Sequence, residues 1–489
     1  MKNKITNIAF QYIHRCIQTM DYNFNKLFEE ENSCLYTFRI LPEVCQQILL
    51  RIINFNDTEN KIITDDLLFE DLEIFKYLSD NKDEVYYKLR TYLRVLHKLS
   101  IIQIQIKHNK DFIIIEKNFK MNLKKILNDG IKQINPTLGK KKKNFQKMLH
   151  FGIKKLQGFI IDNLLKFENE NYTITTEDSK NRILDFLTKK KFLQKINGFY
   201  KLHSNAINCI LQGRNNQLRS LLGMYFLYYR DLLRNENYSN ELINSKHLEF
   251  LKLIFQLCSY EICTSFTKLP NEYDEKHYYE QLSFLSEFGI IWEKHYEQKN
   301  ETKYFCTPLI KSIFEDINLI SPLSEIENNN GNFLIVETDF NVYAYTKNNL
   351  DIQIFELLFE EKYKFDGFIV GTITRDKIRN ILKRDIKIFT ILEYLSTHSH
   401  PNSNYECIIQ GEKYKIPENV ANQIVIWGEE INALNPENSI LLFDFVDENQ
   451  YDDYYKRLKQ SDILWTNKSK KLIVVKRSAE EYIIREFHN

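Results

Sequence analysis

The spacing of apolar residues changes from helical to hairpin-like several times along this chain. In residues 42–99, apolar side chains recur every three or four positions, which indicates amphipathic helices beginning at Pro42. Ile102, Ile104 and Ile106 then alternate with other residues, as in a half-buried strand, and the apolar run 112–115 returns after a polar turn. Helices followed by a terminal hairpin are the parts of a winged helix. The sequence therefore predicts an N-terminal winged-helix module over residues 1–135.

The same order of patterns recurs twice before residue 320. Helical spacing precedes Ile196-Asn197-Gly198-Phe199, where Asn-Gly between apolar residues is a strong hairpin signal. A long helix is predicted next, from about His203 to Arg234. Another helical stretch precedes a strand at Tyr304–Cys306. We predict a second winged-helix module over 145–240 and a third over 241–320, with a linker over 321–331 that is rich in Ser, Pro and Asn.

Residues 331–401 are rich in polar and aromatic residues but hold no catalytic constellation. The alternation from Phe340 to Tyr345 is that of a half-buried strand, and Phe368–Ile373 is a second apolar strand. Thr374 can cap a helix, and a second helix ends before Pro401, whose ring cannot continue it. Two short helices joined by a tight turn predict a helix-turn-helix unit within a central module over 331–415. Residues 408–414 are its candidate wing.

The C-terminal residues, 416–489, have a different pattern. A helix beginning at Pro417 is followed by a strand at Ile440–Phe445, a tyrosine-rich helix and a hairpin around Asn467-Lys468-Ser469. This predicts a small α+β unit with few strands and exposed sheet edges, so the fold class of the whole chain is α+β and mainly helical.

The composition argues against several classes of function. Lys+Arg number 67 and Asp+Glu 66, so a net charge of +1 gives no global attraction to nucleic acid or to an anionic membrane. No apolar run reaches the length that spans a bilayer, and the N-terminus lacks the pattern of a signal peptide. Neither a G-x-x-x-x-G-K-[ST] loop nor a G-x-G-x-x-G motif is present. We therefore predict no cofactor and no enzymatic activity.

Three groups of residues allow a chemical and a structural interpretation. His398 and His400 lie two residues apart and do not share a helix face, so helix-end packing is favoured over metal binding. The pair Cys258 and Cys263 lacks the usual zinc spacing, and buried free cysteines are favoured there. The paired acids Glu360-Glu361 are interpreted as a solvated helical face.

Nucleic-acid contact is a further alternative. The candidate contact residues are Lys140, Lys141, Lys142 and Lys143, although a solvated linker over 139–144 is the favoured interpretation. The third helix of the first module carries Lys88, Arg90 and Arg94. Acids interleaved along the chain argue against base readout, which leaves weak contact with phosphates.

The central module contains candidate anchors for a protein partner. Tyr343 and Tyr345 provide large contact area at low entropic cost, although a strand surface covered by the chain's own helices is an equally good interpretation. Glu337 ends an apolar strand and is suited to pair with a partner's arginine. Arg375 begins a helix, where the helix dipole disfavours a cation, so an external carboxylate would explain it.

Several motifs occur in an order that resembles one family. They are Phe38-Arg39-x-Leu41-Pro42, Val336-Glu337-Thr338, Val342–Thr346, Gly371-x-Ile373-Thr374-Arg375 and Tyr394-Leu395 through His398-x-His400-Pro401. The chain is similar to the TFIIH core subunit four family, the subunit that anchors and stimulates the XPB translocase. Asn341 departs from the family pattern, which usually has a basic residue there.

The resemblance implies a non-catalytic nuclear scaffold in RNA polymerase II transcription initiation and nucleotide excision repair. It implies that the XPB translocase docks on the central module, for which the candidate residues are Glu337, Asn341, Tyr343, Tyr345 and Arg375. It also implies that the smallest TFIIH subunit pairs with the C-terminal unit, for which the candidates are Leu442, Phe443, Phe445, Leu464, Trp465 and Ile473. The alternative is a winged-helix DNA-binding transcription regulator, which would bind duplex DNA strongly on its own.

Overall fold

The chain folds into two compact units, Met1–Asn422 and Gln423–Asn489. The computed structural model describes residues 26–54, 62–63, 82–107, 110–129, 140–168, 182–196, 199–236, 238–259, 265–266, 275–296, 301–313, 332–433, 439–443, 445, 447–458, 462–477 and 483. Helices predominate and the sheets are small, which confirms the predicted α+β class.

The first module has the predicted order of helices and hairpin. Among the described residues, its helices are Glu31–Ile40, Glu43–Asn54 and Lys82–Lys98, and its strands are Ile62–Ile63, Ile102–Lys107 and Lys110–Ile115. The helix Lys117–Asp129 follows the hairpin. The strand Lys110–Ile115 lies in the middle of a three-stranded antiparallel sheet. The third helix turns Leu89, Leu93 and Leu96 into the core, where each is almost completely buried. The winged-helix assignment stays a prediction.

The second stretch differs from the prediction in two places. Its elements are the helices Lys140–Asn163, Arg182–Lys189, Ser204–Ile210 and Arg214–Asn235, the 3-10 helix Leu165–Glu168 and the hairpin Leu193–Ile196 with Phe199–Leu202. The predicted linker over 139–144 is wrong, because Lys140–Asn163 is helical and lysine is a good helix former. The predicted single helix from His203 to Arg234 is also wrong. It is divided in two at Gly213, whose extended backbone caps the second helix.

The third stretch repeats the sheet order of the first. Helices Asn240–Ser259 and Glu275–Glu287 accompany strands Ser265–Phe266, Ile291–Tyr296 and Glu301–Cys306, and the 3-10 helix Pro308–Ile313 follows. An aromatic core joins this stretch to the second one, with Tyr225 stacked on Phe284 at 4.3 Å between ring centroids. The backbones of Gly152 and Gly289 are so close that a Cβ at Gly152 would lie 2.7 Å from the Gly289 carbonyl oxygen. These contacts tie the second and third stretches together, and we call these two stretches the array.

The central module is built on a four-stranded antiparallel sheet, which we call the central sheet. In spatial order its strands are Glu360–Phe365, Phe368–Thr372, Asn341–Tyr345 and Phe333–Val336. Helices Asn349–Leu358, Arg375–Leu382 and Ile388–His398 accompany it, followed by the predicted hairpin Cys407–Ile409 with Glu412–Tyr414 and by helix Glu418–Ala433. Thr374 caps its helix as predicted, because its side chain accepts a hydrogen bond from the Lys377 N–H.

The strand Glu360–Phe365 was not predicted. The paired acids Glu360 and Glu361 lie on this strand, so their assignment to a helical face is wrong. All six residues are exposed, which removes the apolar alternation that identifies a half-buried strand. The strand forms instead by pairing with the neighbouring strand Phe368–Thr372, which places Glu360 opposite Thr372 and Phe365 opposite Phe368.

In the second unit, the described residues include the larger part of helix Glu418–Ala433, a three-stranded antiparallel sheet and the helix Glu448–Arg457. Strand Leu472–Lys476 lies between Ser439–Leu442 and Ile463–Asn467 in this sheet. The core of this unit consists of Tyr451, Leu458, Ile473, Val475 and Ile483.

Candidate partner-binding surfaces

One face of the central sheet carries a row of aromatic rings across all four strands. Residues directly opposite each other on neighbouring strands point to the same side of a sheet. Tyr345 lies opposite both Phe333 and Phe368, and Phe365 lies opposite Phe368. Tyr343 lies opposite Val370, and so does Tyr363 on the outer strand. We call this surface the aromatic face; its aromatic members are Phe333, Tyr343, Tyr345, Tyr363, Phe365 and Phe368.

The rings of the aromatic face contact one another but stay open to solvent. The Tyr345 ring centroid lies 4.8 Å from that of Phe333 and 4.7 Å from that of Phe368. Tyr345 is 39% exposed, and the two aromatic residues of the outer strand, Phe365 and Tyr363, are 61% and 63% exposed. A contiguous apolar surface of this kind marks an interaction site more often than a single exposed residue does.

The opposite face of the sheet is a packed core that supports the aromatic face. Leu334, Val336, Val342, Ala344 and Ile369 are all nearly inaccessible to solvent. Helix Asn349–Leu358 lies against this side, and a Cβ added at Gly371 would lie 2.8 Å from the Phe355 ring. The aromatic residues are therefore presented by a rigid element.

A polar cluster around Asp351 fixes the start of the supporting helix. The Asp351 carboxylate accepts hydrogen bonds from Thr346 Oγ1 at 3.0 Å and from Asn332 Nδ2 at 3.1 Å. Burial raises the pKa of the Asp351 carboxyl, while His398, hydrogen bonds with Thr346 and Asn348, and Arg214 act in the opposite direction. Burial likewise lowers the pKa of Arg214, which begins the helix Arg214–Asn235 of the array. The central module is thus electrostatically linked to the helices that precede it.

Glu337 occupies the turn between the two inner strands of the central sheet. Its N–H donates to the Asn341 carbonyl oxygen at 3.0 Å, and the turn closes through Phe340, whose φ is 67°. Within the part of the chain that the structure describes, no hydrogen-bond or ion-pair partner accompanies the Glu337 carboxylate. The turn therefore offers a negative charge at one end of the aromatic face.

Asn341 is held by hydrogen bonds within the sheet. Its Oδ1 accepts from Lys362 Nζ at 2.9 Å and from Thr372 Oγ1 at 3.1 Å, and its Nδ2 donates to Asp339 at 2.6 Å. The outer strand thus brings the Lys362 ammonium group beside Asn341.

Arg375 lies near the same end of the sheet as Glu337. It is exposed and is the first residue of helix Arg375–Leu382. The Ile373 N–H donates to the Phe340 carbonyl oxygen at 2.9 Å, which joins the turn to the segment that leads into this helix. The structure therefore brings Glu337, Asn341 and Arg375 to one end of the central sheet.

The candidates in the C-terminal unit divide into exposed and interior residues. Phe443 is 66% exposed, Trp465 51% and Leu464 39%, and Leu441 adds a further exposed apolar side chain. In contrast, Ile473 is completely buried in the core, and Leu442 and Phe445 pack against that core. The first group is therefore the more accessible to a partner.

The sequence of residues 12–401 matches the family described as "Transcription factor Tfb2", and residues 422–489 match its C-terminal domain, "Transcription factor Tfb2 (p52) C-terminal domain". This chain belongs to the transcription factor Tfb2 family. Its relatives include proteins named "General transcription and DNA repair factor IIH subunit TFB2". That of Yarrowia lipolytica is 22% identical over 94% of this chain and 92% of its own length. That of Saccharomyces cerevisiae is 22% identical over 99% and 97%.

A third relative covers part of this Tfb2-family chain. "General transcription factor IIH subunit 4" of Dictyostelium discoideum is 28% identical over 42% of each chain. The family predicted from the sequence motifs is therefore confirmed.

Four of the aromatic residues on the exposed face were not among the candidates predicted from the sequence. Tyr363 and Phe365 lie on the unpredicted outer strand, and Phe333 and Phe368 lie in apolar runs that give no sign of which face each occupies. The sequence signal for this strand is that Tyr363 and Phe365 lie two positions apart, as residues on the same face of a strand do. A bulge between Glu361 and Tyr363 interrupts that period in the preceding residues.

The alternative sites of the sequence analysis have ordinary surroundings where they are described. His398 Nδ1 lies 2.9 Å from the Tyr394 carbonyl oxygen, and His400 Nδ1 accepts from the Asn402 N–H at 3.2 Å. Cys258 is buried, while Cys263 lies outside the described residues. Among the described residues, no three His, Cys, Asp or Glu side chains are arranged to hold a metal ion. No helix in the described ranges has the length and apolar character required to cross a bilayer.

The lysines Lys140, Lys141, Lys142 and Lys143 form the first turn of helix Lys140–Asn163. Their side chains lie outside the described part of the structure. Their contact with nucleic acid stays a prediction.

Proposed function

We propose that this chain is a non-catalytic nuclear subunit of general transcription and DNA repair factor IIH, and that its central module anchors an XPB-type translocase. The names of its relatives support the assignment to this factor. The aromatic face is the observation that carries the docking proposal, because it is a contiguous, partly exposed aromatic surface on a rigid support. The pathways are RNA polymerase II transcription initiation and nucleotide excision repair.

The aromatic face has the chemistry of an interface centre. Tyr343, Tyr345 and Phe365 supply rigid aromatic area with few rotatable bonds. The charged groups at its end, Glu337 and Lys362, would form a polar rim that sets orientation by pairing with opposite charges. Arg375 contributes a further cation to this rim.

Stimulation of the partner's ATPase follows if docking is selective. A subunit that binds only the competent arrangement of the translocase raises the population of that arrangement. The free energy that shifts this population is the difference between the subunit's affinities for the two arrangements of the translocase. The contacts of the aromatic face would supply this difference.

The C-terminal unit is proposed to pair with the smallest TFIIH subunit. Phe443, Leu464 and Trp465 would contact this partner directly, while Leu442, Phe445 and Ile473 support them from the interior. The strands Ser439–Leu442 and Ile463–Asn467 are the outer strands of the three-stranded sheet, so each offers an edge for strand addition.

A charge reversal at Glu337 tests the docking proposal. In a pull-down with a purified XPB-type translocase, Glu337→Lys should weaken capture about fivefold or more and lower ATPase stimulation in proportion. Glu412→Lys is the matched control, because Glu412 is an exposed acid on the hairpin Cys407–Tyr414. Equal capture by the two variants would remove Glu337 from the interface.

A further inference from the structure

The third helix of the first module exposes a continuous basic stripe. In helix Lys82–Lys98, the residues turned to solvent recur at three- and four-residue intervals; they are Tyr87, Arg90, Thr91, Arg94, His97 and Lys98. We call this set the basic stripe. The opposite side of the helix, with Leu89, Leu93 and Leu96, is buried, so the orientation of the stripe is fixed by the core.

The charge around the basic stripe differs from that of the whole chain. The sequence from Val85 to Lys110 contains no Asp or Glu. Its Lys and Arg residues are Lys88, Arg90, Arg94, Lys98, Lys107 and Lys110. The expectation that acids are interleaved throughout is therefore wrong for this segment, although the chain as a whole has a net charge of only +1.

The composition of the stripe favours a polyanion over a protein surface. Protein interfaces have an apolar centre, and the stripe has a single large apolar side chain, Tyr87, which is 69% exposed. An α-helix is about 10–12 Å wide, which fits the roughly 12 Å major groove of duplex DNA. The distance from Tyr87 to Lys98 is about 17 Å along the helix axis, enough to reach several phosphates.

We propose that the basic stripe binds the sugar–phosphate backbone of a nucleic-acid duplex, with Arg94 and Lys98 as the principal contacts. Their positions four residues apart place both cations on one side of the helix. Binding depends on charge and is independent of base sequence. This activity is separate from docking of the translocase, which uses the central module.

The test compares two double variants of the full chain. A fluorescently labelled duplex of about 30 base pairs is titrated at about 50 mM and 200 mM salt, and binding is followed by anisotropy. Neutralisation by Arg94→Gln with Lys98→Gln should weaken binding at the lower salt on the order of tenfold and reduce the salt slope by about 2. The matched control is Lys383→Gln with Lys413→Gln, which removes two exposed lysines of the central module.

Two results would overturn the proposal. One is that the unmodified chain does not bind the duplex at the lower salt, as expected if the stripe contacts an acidic protein instead. The other is that the control pair loses as much affinity as the stripe pair, which would make binding a property of net charge. Capture of the translocase by the stripe pair should equal that of the unmodified chain, so failure here is distinguishable from failure of the docking proposal.

Discussion

Truncation of Phe365 removes the most exposed phenylalanine of the aromatic face and has a calculable effect on docking. Phe365 is 61% exposed, and a large aromatic side chain presents about 200 Å² in total, so about 120 Å² is available for a partner to bury. At about 25 cal/mol per Å², complete burial is worth about 3 kcal/mol, or roughly 150-fold in Kd. We expect Phe365→Ala to lose most of this amount.

The fold should tolerate the Phe365→Ala change. The nearest described ring contact of Phe365 is with Phe368 at 6.3 Å, and the strand is held independently by the ion pair between Lys364 Nζ and Glu356 Oε1 at 2.6 Å. Isothermal titration calorimetry with the N-terminal region of an XPB-type translocase measures the loss. Tyr279→Ala is the control, because Tyr279 is 45% exposed on helix Glu275–Glu287, outside the central module. A Kd within threefold of the unmodified value for Phe365→Ala would refute the reasoning.

The remaining predictions concern the C-terminal unit, packing and pH. Deletion of 440–489 should abolish capture of the smallest TFIIH subunit in a pull-down while the translocase is retained; retained capture would move that interface elsewhere. Gly371→Ala should lower the free energy of unfolding in urea by about 1–3 kcal/mol, since the new methyl group meets the Phe355 ring, whereas Gly158→Ala, within a helix, should raise it by about 0.5–1 kcal/mol. Burial lowers the pKa of His247 to about 4. The unfolded chain therefore binds a proton that the folded chain excludes between about pH 6.5 and 4, and stability should fall by about 2 kcal/mol from pH 7 to pH 5, with a flatter profile in His247→Gln.

Local signals in the sequence predicted much of the central module. The alternation through Tyr343 and Tyr345 and the cap at Thr374 depend only on neighbouring residues, and both are present in the structure. The Glu360–Phe365 strand depends on pairing with Phe368–Thr372, which no local pattern reports. Charged residues on such an outer strand protect its open edge, and they also make it look helical or irregular in sequence.

For the C-terminal unit, the sequence predicted a set of candidate interface residues but not which of them are exposed to solvent. Ile473 and Trp465 are both apolar strand residues, yet the first is fully buried and the second is 51% exposed. Which face of a strand is covered depends on the helix that packs there, here Glu448–Arg457 with Tyr451 in the core. In the array, the division of the predicted long helix at Gly213 is stabilised locally, by the hydrogen bond from Gln217 Nε2 to the Ile210 carbonyl oxygen at 2.9 Å across the break.

Hydrogen–deuterium exchange of the central sheet, with and without an XPB-type translocase, tests the central claim most directly. In the chain alone, the outer strand Glu360–Phe365 is exposed at the edge of the central sheet and the turn at Glu337 is half-buried, so both should exchange faster than the buried inner strands. If the aromatic face is the docking surface, both segments will exchange more slowly in the complex, while the hairpin Leu193–Leu202 of the array is unchanged. Unchanged exchange at Glu360–Phe365, with protection confined to the array, would contradict the account.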